Sequence, residues 1–339
     1  MLISIYRIRM QTKYVLLLCC TLSIVLISPF CTIIIVFAQN HEFSSSGLIS
    51  SDTKFNFKRG ISSETENSNS TQIFQPEGII VDSNDNIYVN DIQSNEIKKY
   101  DINGNFIFKW GNQIVNGITL NHPHSSEIDN QGNVYITDQN NKRVVKFSNN
   151  GTFITSWGEN ENRDVHFLHP HGIAVDSRDN VFVSDRDLNT IQKFSNNGTF
   201  ITSWGSKGTG NGQFDMPWDV AVDSENNVFV PDYGNNRIQV FSNNGTYLRE
   251  WGTEGEGAGE FFHPAVIAFD NTENLYVTDS DNQRIQIFSK NGTFITGFGQ
   301  LGEGPGEFSK PESITIDSYG RVYVADTTNN NVQMFIPSN

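Results

Sequence analysis

Six positions recur at an interval of 47 residues and do not hold the same residue: Glu77, His124, His171, Trp218, Ala265 and Glu312. Each follows a proline, at Pro76, Pro123, Pro170, Pro217, Pro264 and Pro311. A residue repeated in every unit usually holds up the fold, so chemistry is expected where the units differ. Two carboxylates and two imidazoles are side chains that hold zinc, and the carboxylates suit calcium as well. An ion held by Glu77, His124, His171 and Glu312 would polarise a substrate oxygen or activate water, the chemistry of a lyase or hydrolase. Trp218 would add an apolar wall, so the five are candidate ligand-binding residues whether or not an ion is present. His122, His169 and His263 precede the proline in three units, with Gln75, Met216 and Lys310 in the others, and would form a supporting layer or rim. His-Pro at a loop corner can equally be packing, with the ring nitrogens satisfied by backbone. No nucleophile with an adjacent base stands out, so no catalytic residue is assigned.

The elements that must carry these positions follow from the period. A fixed interval of roughly 40–50 residues indicates a propeller or a solenoid. Within one unit the proline opens a short apolar run ending in Asp, as in GIAVD at 172–176. A polar turn and an alternating run ending in Asp follow, as in VFVSD at 181–185. Then come RIQVF-type segments (237–241) and TFITSWG-type segments (152–158 and 199–205). All are β-branched and aromatic, of strand length, and bounded by turn residues. None has a helical period. The unit is therefore a four-stranded antiparallel blade, with strands a to d. Asn-Gly between strands c and d predicts two-residue hairpin loops with both central residues at positive φ. The Asp residues that end strands a (82, 129, 176, 223, 270, 317) and b (91, 138, 185, 232, 279, 326) recur in every blade and are expected to tie down turns.

The sixth unit ends at strand c, since the chain stops at Asn339. An unpaired edge there would be a liability. Lys54 to Arg59 resembles strand d of the first blade and is expected to complete the last one, closing the ring. The predicted fold is all-β, a six-bladed propeller over 54–339, with 39–53 as a linker.

These motifs resemble the NHL-repeat family of six-bladed propellers: Asp, polar residues, Arg, Ile-Gln-x-Phe, Asn-Gly and Trp-Gly. The namesake Asn-His-Leu reads Asn141-Lys142, Asn235-Asn236 and Asn282-Gln283 here, with Arg143, Arg237 and Arg284 following. PHGIAVD at 170–176 also resembles the zinc-ligand segments of the peptidyl-amidoglycolate lyase propeller, which implies a metal role for His171 and, by position, His124. That family takes three His from alternating blades. The alternating sets here are Glu77, His171, Ala265 and His124, Trp218, Glu312.

Residues 1–38 are of another kind. Arg7, Arg9 and Lys13 precede an apolar run over 14–37, long enough to span a bilayer. Val36-Phe37-Ala38 resembles a cleavage site, so a removed signal peptide and a retained transmembrane anchor both remain open. The basic flank puts the propeller outside the cytoplasm, secreted or at the cell surface, with membrane contact only through 14–37. Cys19, Cys20 and Cys31 all lie in this segment, leaving the propeller free of disulfide and thiolate chemistry. Of 23 basic residues, three fall in the segment; the remaining 20 face 38 acidic ones, a net −18. Such a surface repels phosphate backbones, so no nucleic-acid partner is expected.

Asn69, Asn150, Asn197, Asn244 and Asn291 stand in Asn-x-Thr sequons and are candidate glycosylation sites outside the cytoplasm. Turn chemistry alone also accounts for the last four. The first functional expectation is a binding or protein-interaction scaffold using the face that carries the d–a and b–c loops. Its partner would be a protein, a glycan or a small molecule. The alternatives are a metal-dependent lyase or hydrolase at the channel mouth and a structural cell-surface glycoprotein.

Overall fold

The computed structural model describes residues 53–61, 72–112, 118–158 and 166–338. All fall in one compact unit that runs from Ser44 to Asn339. Residues 1–38, the 39–52 part of the linker and Asn69 lie outside the described residues. Among the described residues no helix is long and apolar enough to cross a membrane.

Six four-stranded antiparallel sheets form the blades. The first comprises Pro76–Val81, Ile87–Asp91, Glu96–Tyr100 and Phe106–Trp110. The last comprises Pro311–Ile316, Val322–Asp326 and Asn331–Ser338, with Lys54–Ile61 as its outer strand. Lys54 pairs with Ser338 and Ile61 with Val332, so the ends of the ring are stitched as the sequence predicted. The closing strand runs two residues past the predicted Arg59.

The apolar residues gather into six clusters, each shared between neighbouring blades, rather than one central core. One cluster joins Ala174, Phe182 and Ile191 of blade 3 to Phe214, Val228 and Phe241 of blade 4. Another joins Ile61 and Tyr323 of blade 6 to Ile79 and Val89 of blade 1. Each d–a loop drops one residue into such a seam, as Leu120, Phe167, Phe214, Phe261 and Phe308 do. The strand-b Asp holds that loop in place: Asp138 accepts from Asn121 N–H at 2.7 Å and from Arg143 Nε at 2.6 Å. Asp232 repeats the pattern with Asp215 N–H and Arg237 Nε. The strand-a Asp closes the a–b turn, as Asp176 does by accepting from the N–H groups of Arg178 and Asn180. Both Asp rings are structural, as expected.

The c–d hairpins correct one expectation. Only their glycine takes positive φ (Gly151 78°, Gly198 86°), while Asn150 and Asn197 stay in ordinary backbone regions. The strand register slips by one at Lys146/Phe147, so the turn is a tight turn closed by a glycine bulge rather than a two-residue loop. The glycine is needed for a second reason: a Cβ on Gly198 would stand 2.6 Å from the Trp157 ring of the preceding blade. Trp110, Trp204 and Trp251 meet Gly151, Gly245 and Gly292 in the same way.

Blade 4 departs from the repeat. Its inner strand is reduced to Ala221–Val222 because Pro231 sits in strand b. The Pro231 carbonyl faces strand a and accepts from Trp218 N–H at 3.0 Å, so the N–H that Pro lacks is missing from that same ladder. Pairing with strand c is intact. Trp218 and Asp219 are thereby released from sheet geometry at the mouth of the channel.

Candidate functional site

The d–a and b–c connections meet on one face, around the channel mouth. Trp218 of a d–a connection stacks on Tyr233 of a b–c connection at 4.1 Å and 17°. His263 Nδ1 lies 2.6 Å from Asp281 Oδ2, and His169 contacts Arg186 and Asp187. Of the residues after the blade prolines, His124 is 4% exposed, His171 2% and Glu312 2%, while Glu77 is half-buried.

His124 and His171 come together as rings 3.6 Å apart between centroids. That pair is tilted by 46°, and the row continues from His171 to Trp218 at 4.1 Å and 54°, then as true stacks to Tyr233 at 4.1 Å and to His263 at 4.2 Å, the last pair parallel within 1°. Five rings therefore line one arc of the mouth, with the Arg186 guanidinium 5.6 Å from the Trp218 ring. The other arc is ionic. Glu77 Oε2 lies 3.0 Å from His122 Nε2 and 3.4 Å from His124 Nε2, in contact though without hydrogen-bond alignment. Glu312 forms an ion pair with Lys310. Ala265 contributes only a small apolar wall.

Burial decides the protonation states. It pushes His124 down to about 4, against the pull of Glu77, and holds His171 well below the ordinary imidazole value. Both rings are neutral at pH 7. His171 Nδ1 lies 2.7 Å from the Trp218 carbonyl, which can only accept, so Nδ1 carries the hydrogen and Nε2 the lone pair. Burial also works to raise Glu77, but the neighbouring His122, His124 and Lys310 outweigh it, and the carboxyl ends below its ordinary value. In Glu312 burial prevails over Lys310 and the carboxyl is raised.

The expected set of Glu77, His124, His171 and Glu312 is thus brought together, but not as a convergent ligand set. The imidazoles pack against each other at a 46° tilt, one His171 nitrogen is bonded to backbone, and each carboxylate already has a cationic or imidazole neighbour. Among the described residues no group of three or more His, Cys, Asp and Glu side chains is arranged to hold a metal ion. Among the described residues the buried His124 Nδ1 and Trp218 Nε1 atoms have no aligned hydrogen-bond partner.

Sequence reasoning missed several residues here. Tyr233 and Arg186 open b–c connections, at a position that reads Ile92, Gln139, Arg186, Tyr233, Ser280 and Thr327 around the ring. The same criterion of repeat position with changing residue would have found them. Below the mouth, the inner strands enclose a cavity of about 290 Å³ that includes Glu127 and Asp219 in its lining. Asp219 accepts from Ile267 N–H of the next blade at 3.1 Å. Burial pushes both carboxyls up to about 7, and the charge of Glu127 adds to the rise at Asp219.

The geometry defines a six-bladed β-propeller with a closed ring and one differentiated face. Family models of the NHL repeat match residues 167–194 and 214–241, and a family described as a 6-bladed beta-propeller matches 269–335. The chain is a six-bladed propeller that carries NHL repeats. No curated protein sequence matches it. Among solved structures, a streptogramin B lyase is similar with a TM-score of 0.60 and 15% identity, over 84% of this chain and 98% of that one. A catalytically inactive virginiamycin B lyase from Staphylococcus aureus with quinupristin has a TM-score of 0.57 and 15% identity, over 84% and 88%. An auxiliary nutrient binding protein from Bacteroides ovatus has a TM-score of 0.60 and 12% identity, over 85% and 76%. At these identities the likeness is one of fold.

Proposed function

We propose that the propeller is a binding protein whose ligand seats on the face of the d–a and b–c loops, over the channel mouth. The observation that carries this reading is the continuous row of ring contacts His124–His171–Trp218–Tyr233–His263 beside Glu77 and Glu312, built at positions where the blades differ. The rings offer flat apolar faces, and carboxylates accept from hydroxyl or amine donors. A glycan, a polar small molecule or a peptide side chain meets both demands. The same reading places the protein outside the cytoplasm, on the apolar run 14–37 and its basic flank. The nutrient-binding propeller of similar fold supports it as an analogy.

Its test is a thermal-shift screen of the full chain against glycans, peptides and small polar compounds. The best ligand is then titrated against Trp218→Ala and Glu312→Gln. We expect affinity to fall at least about tenfold in each, equivalent to about 1.4 kcal/mol. A ligand that binds both variants as tightly as the parent would rule out the mouth.

A second reading, a lyase, rests on the neutral imidazole pair and its assigned tautomer. His171 Nε2 has the lone pair that a general base needs. The likeness to two lyases of the same architecture supports this reading. A metal-dependent form would require the His124 and His171 rings to turn apart. Metal analysis of the chain beside the double variant His124→Ala/His171→Ala tests that form. About one divalent ion per chain, lost in the variant, would establish it; no ion in either after zinc or calcium is added back would end it.

A further inference from the structure

On the face opposite the mouth, four blades carry the same hairpin: Ser148–Thr152, Ser195–Thr199, Ser242–Thr246 and Ser289–Thr293. Asn150, Asn197, Asn244 and Asn291 stand at its apex and are exposed, as are Thr152, Thr199, Thr246 and Thr293. In three of them the threonine Oγ1 donates to the asparagine Oδ1, at 2.9, 2.9 and 3.0 Å. The threonine N–H donates to the same oxygen at 3.2, 3.2 and 3.4 Å. The amide carbonyl is thus turned inward and polarised. Nδ2 is left as the outward group and donates no hydrogen bond among the described residues.

Turn formation does not demand this threonine. Blade 1 builds the same hairpin with Asp101, whose Oδ1 accepts from Asn103 N–H and Asn105 N–H at 2.8 Å each, and with Gly104 at φ 76°. The a–b turns close on Asp and Asn alone, as at Asp176 and Asn180. Closure of the turn therefore does not require the hydroxyl. The supports are stiff, because each adjacent glycine is pressed against the tryptophan of the preceding blade.

We propose that Asn150, Asn197, Asn244 and Asn291 are N-glycosylated, giving the propeller a glycan-bearing face and leaving the opposite mouth open. In the transfer, Nδ2 forms a bond to the anomeric carbon of a glycan carried on a lipid phosphate or pyrophosphate. The bond from that carbon to the phosphate oxygen breaks, the lipid phosphate leaves with the electron pair, and Nδ2 gives one proton to a base of the transferase. No oxidant or reductant takes part. The proposal is independent of what binds at the mouth.

The test is peptide mass spectrometry of the full chain isolated from its native cells. Glycan mass is expected on the peptides containing these four asparagines. Thr152→Ala, returned to the same cells, is expected to clear Asn150 alone, with an unchanged melting temperature. Peptides recovered only unmodified at all four turns would overturn the proposal, and so would a glycan on Asn150 that persists in Thr152→Ala.

Discussion

Removing Lys54–Ile61 is expected to abolish the cooperative unfolding transition of the propeller at room temperature. The strand supplies the outer edge of the last blade in a register that runs from Lys54↔Ser338 to Ile61↔Val332. Its Phe55 stacks on Phe298 of blade 5 at 4.3 Å, and Phe57 meets Phe335 edge-on at 6.1 Å. Ile61 is 4% exposed in the seam between blades 6 and 1. At roughly 1.5–3 kcal/mol for a fully buried apolar side chain, the buried Ile61 with the half-buried Phe55 and Phe57 contributes about 3–6 kcal/mol. That is of the order of a whole domain's stability. Loss of the strand also bares the Asn331–Ser338 edge to other chains, so aggregation should accompany the loss. Denaturant titration of the full chain against the variant lacking 54–61 is the measurement. A truncated chain with the parent's midpoint and slope would refute ring closure as the source of stability. Phe55→Ala, which keeps the strand, should cost about 3 kcal/mol.

Asp219→Asn is expected to stabilise the protein at pH 8 and to have little effect at pH 5. The folded-state carboxyl is pushed up to about 7 by burial, against an ordinary value of 3.8. Between these values the folded chain holds a proton that the unfolded chain has released. The resulting stability is full below pH 3.8 and is lost as pH rises through 7. At pH 8 the parent therefore buries a charge. A rise from 3.8 to about 7 corresponds to at most about 4 kcal/mol, and water in the cavity lessens it. Asparagine keeps the acceptor for Ile267 N–H and removes the charge. Glu127→Gln should give a smaller gain of the same sign, because the Glu127 charge is one cause of the rise at Asp219. His124 works the other way. With its folded value near 4, it contributes stability above pH 6.5 that is lost as pH falls towards 4. The parent's own pH profile is therefore shallow, and the variant-minus-parent difference is the informative quantity. An equal gain at pH 5 and pH 8 would contradict a charged Asp219 in the cavity.

How much was legible in the sequence follows from how local each feature is. Strand patterning, blade count, the two Asp rings and the closing strand all rest on short-range alternation and an unbroken period of 47. Each repeat restates the same information, so the array could be read without coordinates. The mouth residues were found by the same logic, as repeat positions where the residue changes. Applied to the b–c connections, it would also have found Arg186 and Tyr233.

Other features depend on contacts between blades, which no single repeat encodes. The hairpin type turned on a bulge whose glycine packs under a neighbour's tryptophan. Pro231 shortened an inner strand because its missing N–H faces strand a rather than strand c. The chain by itself determined that the protein is a closed six-bladed ring and which positions differ around its axis. Only the tertiary structure decided that His124 and His171 pack together as neutral rings rather than converging on an ion, and that Glu127 and Asp219 share a cavity. Ring packing and desolvation depend on distances across the channel, and those are set when six separately encoded blades close on one another.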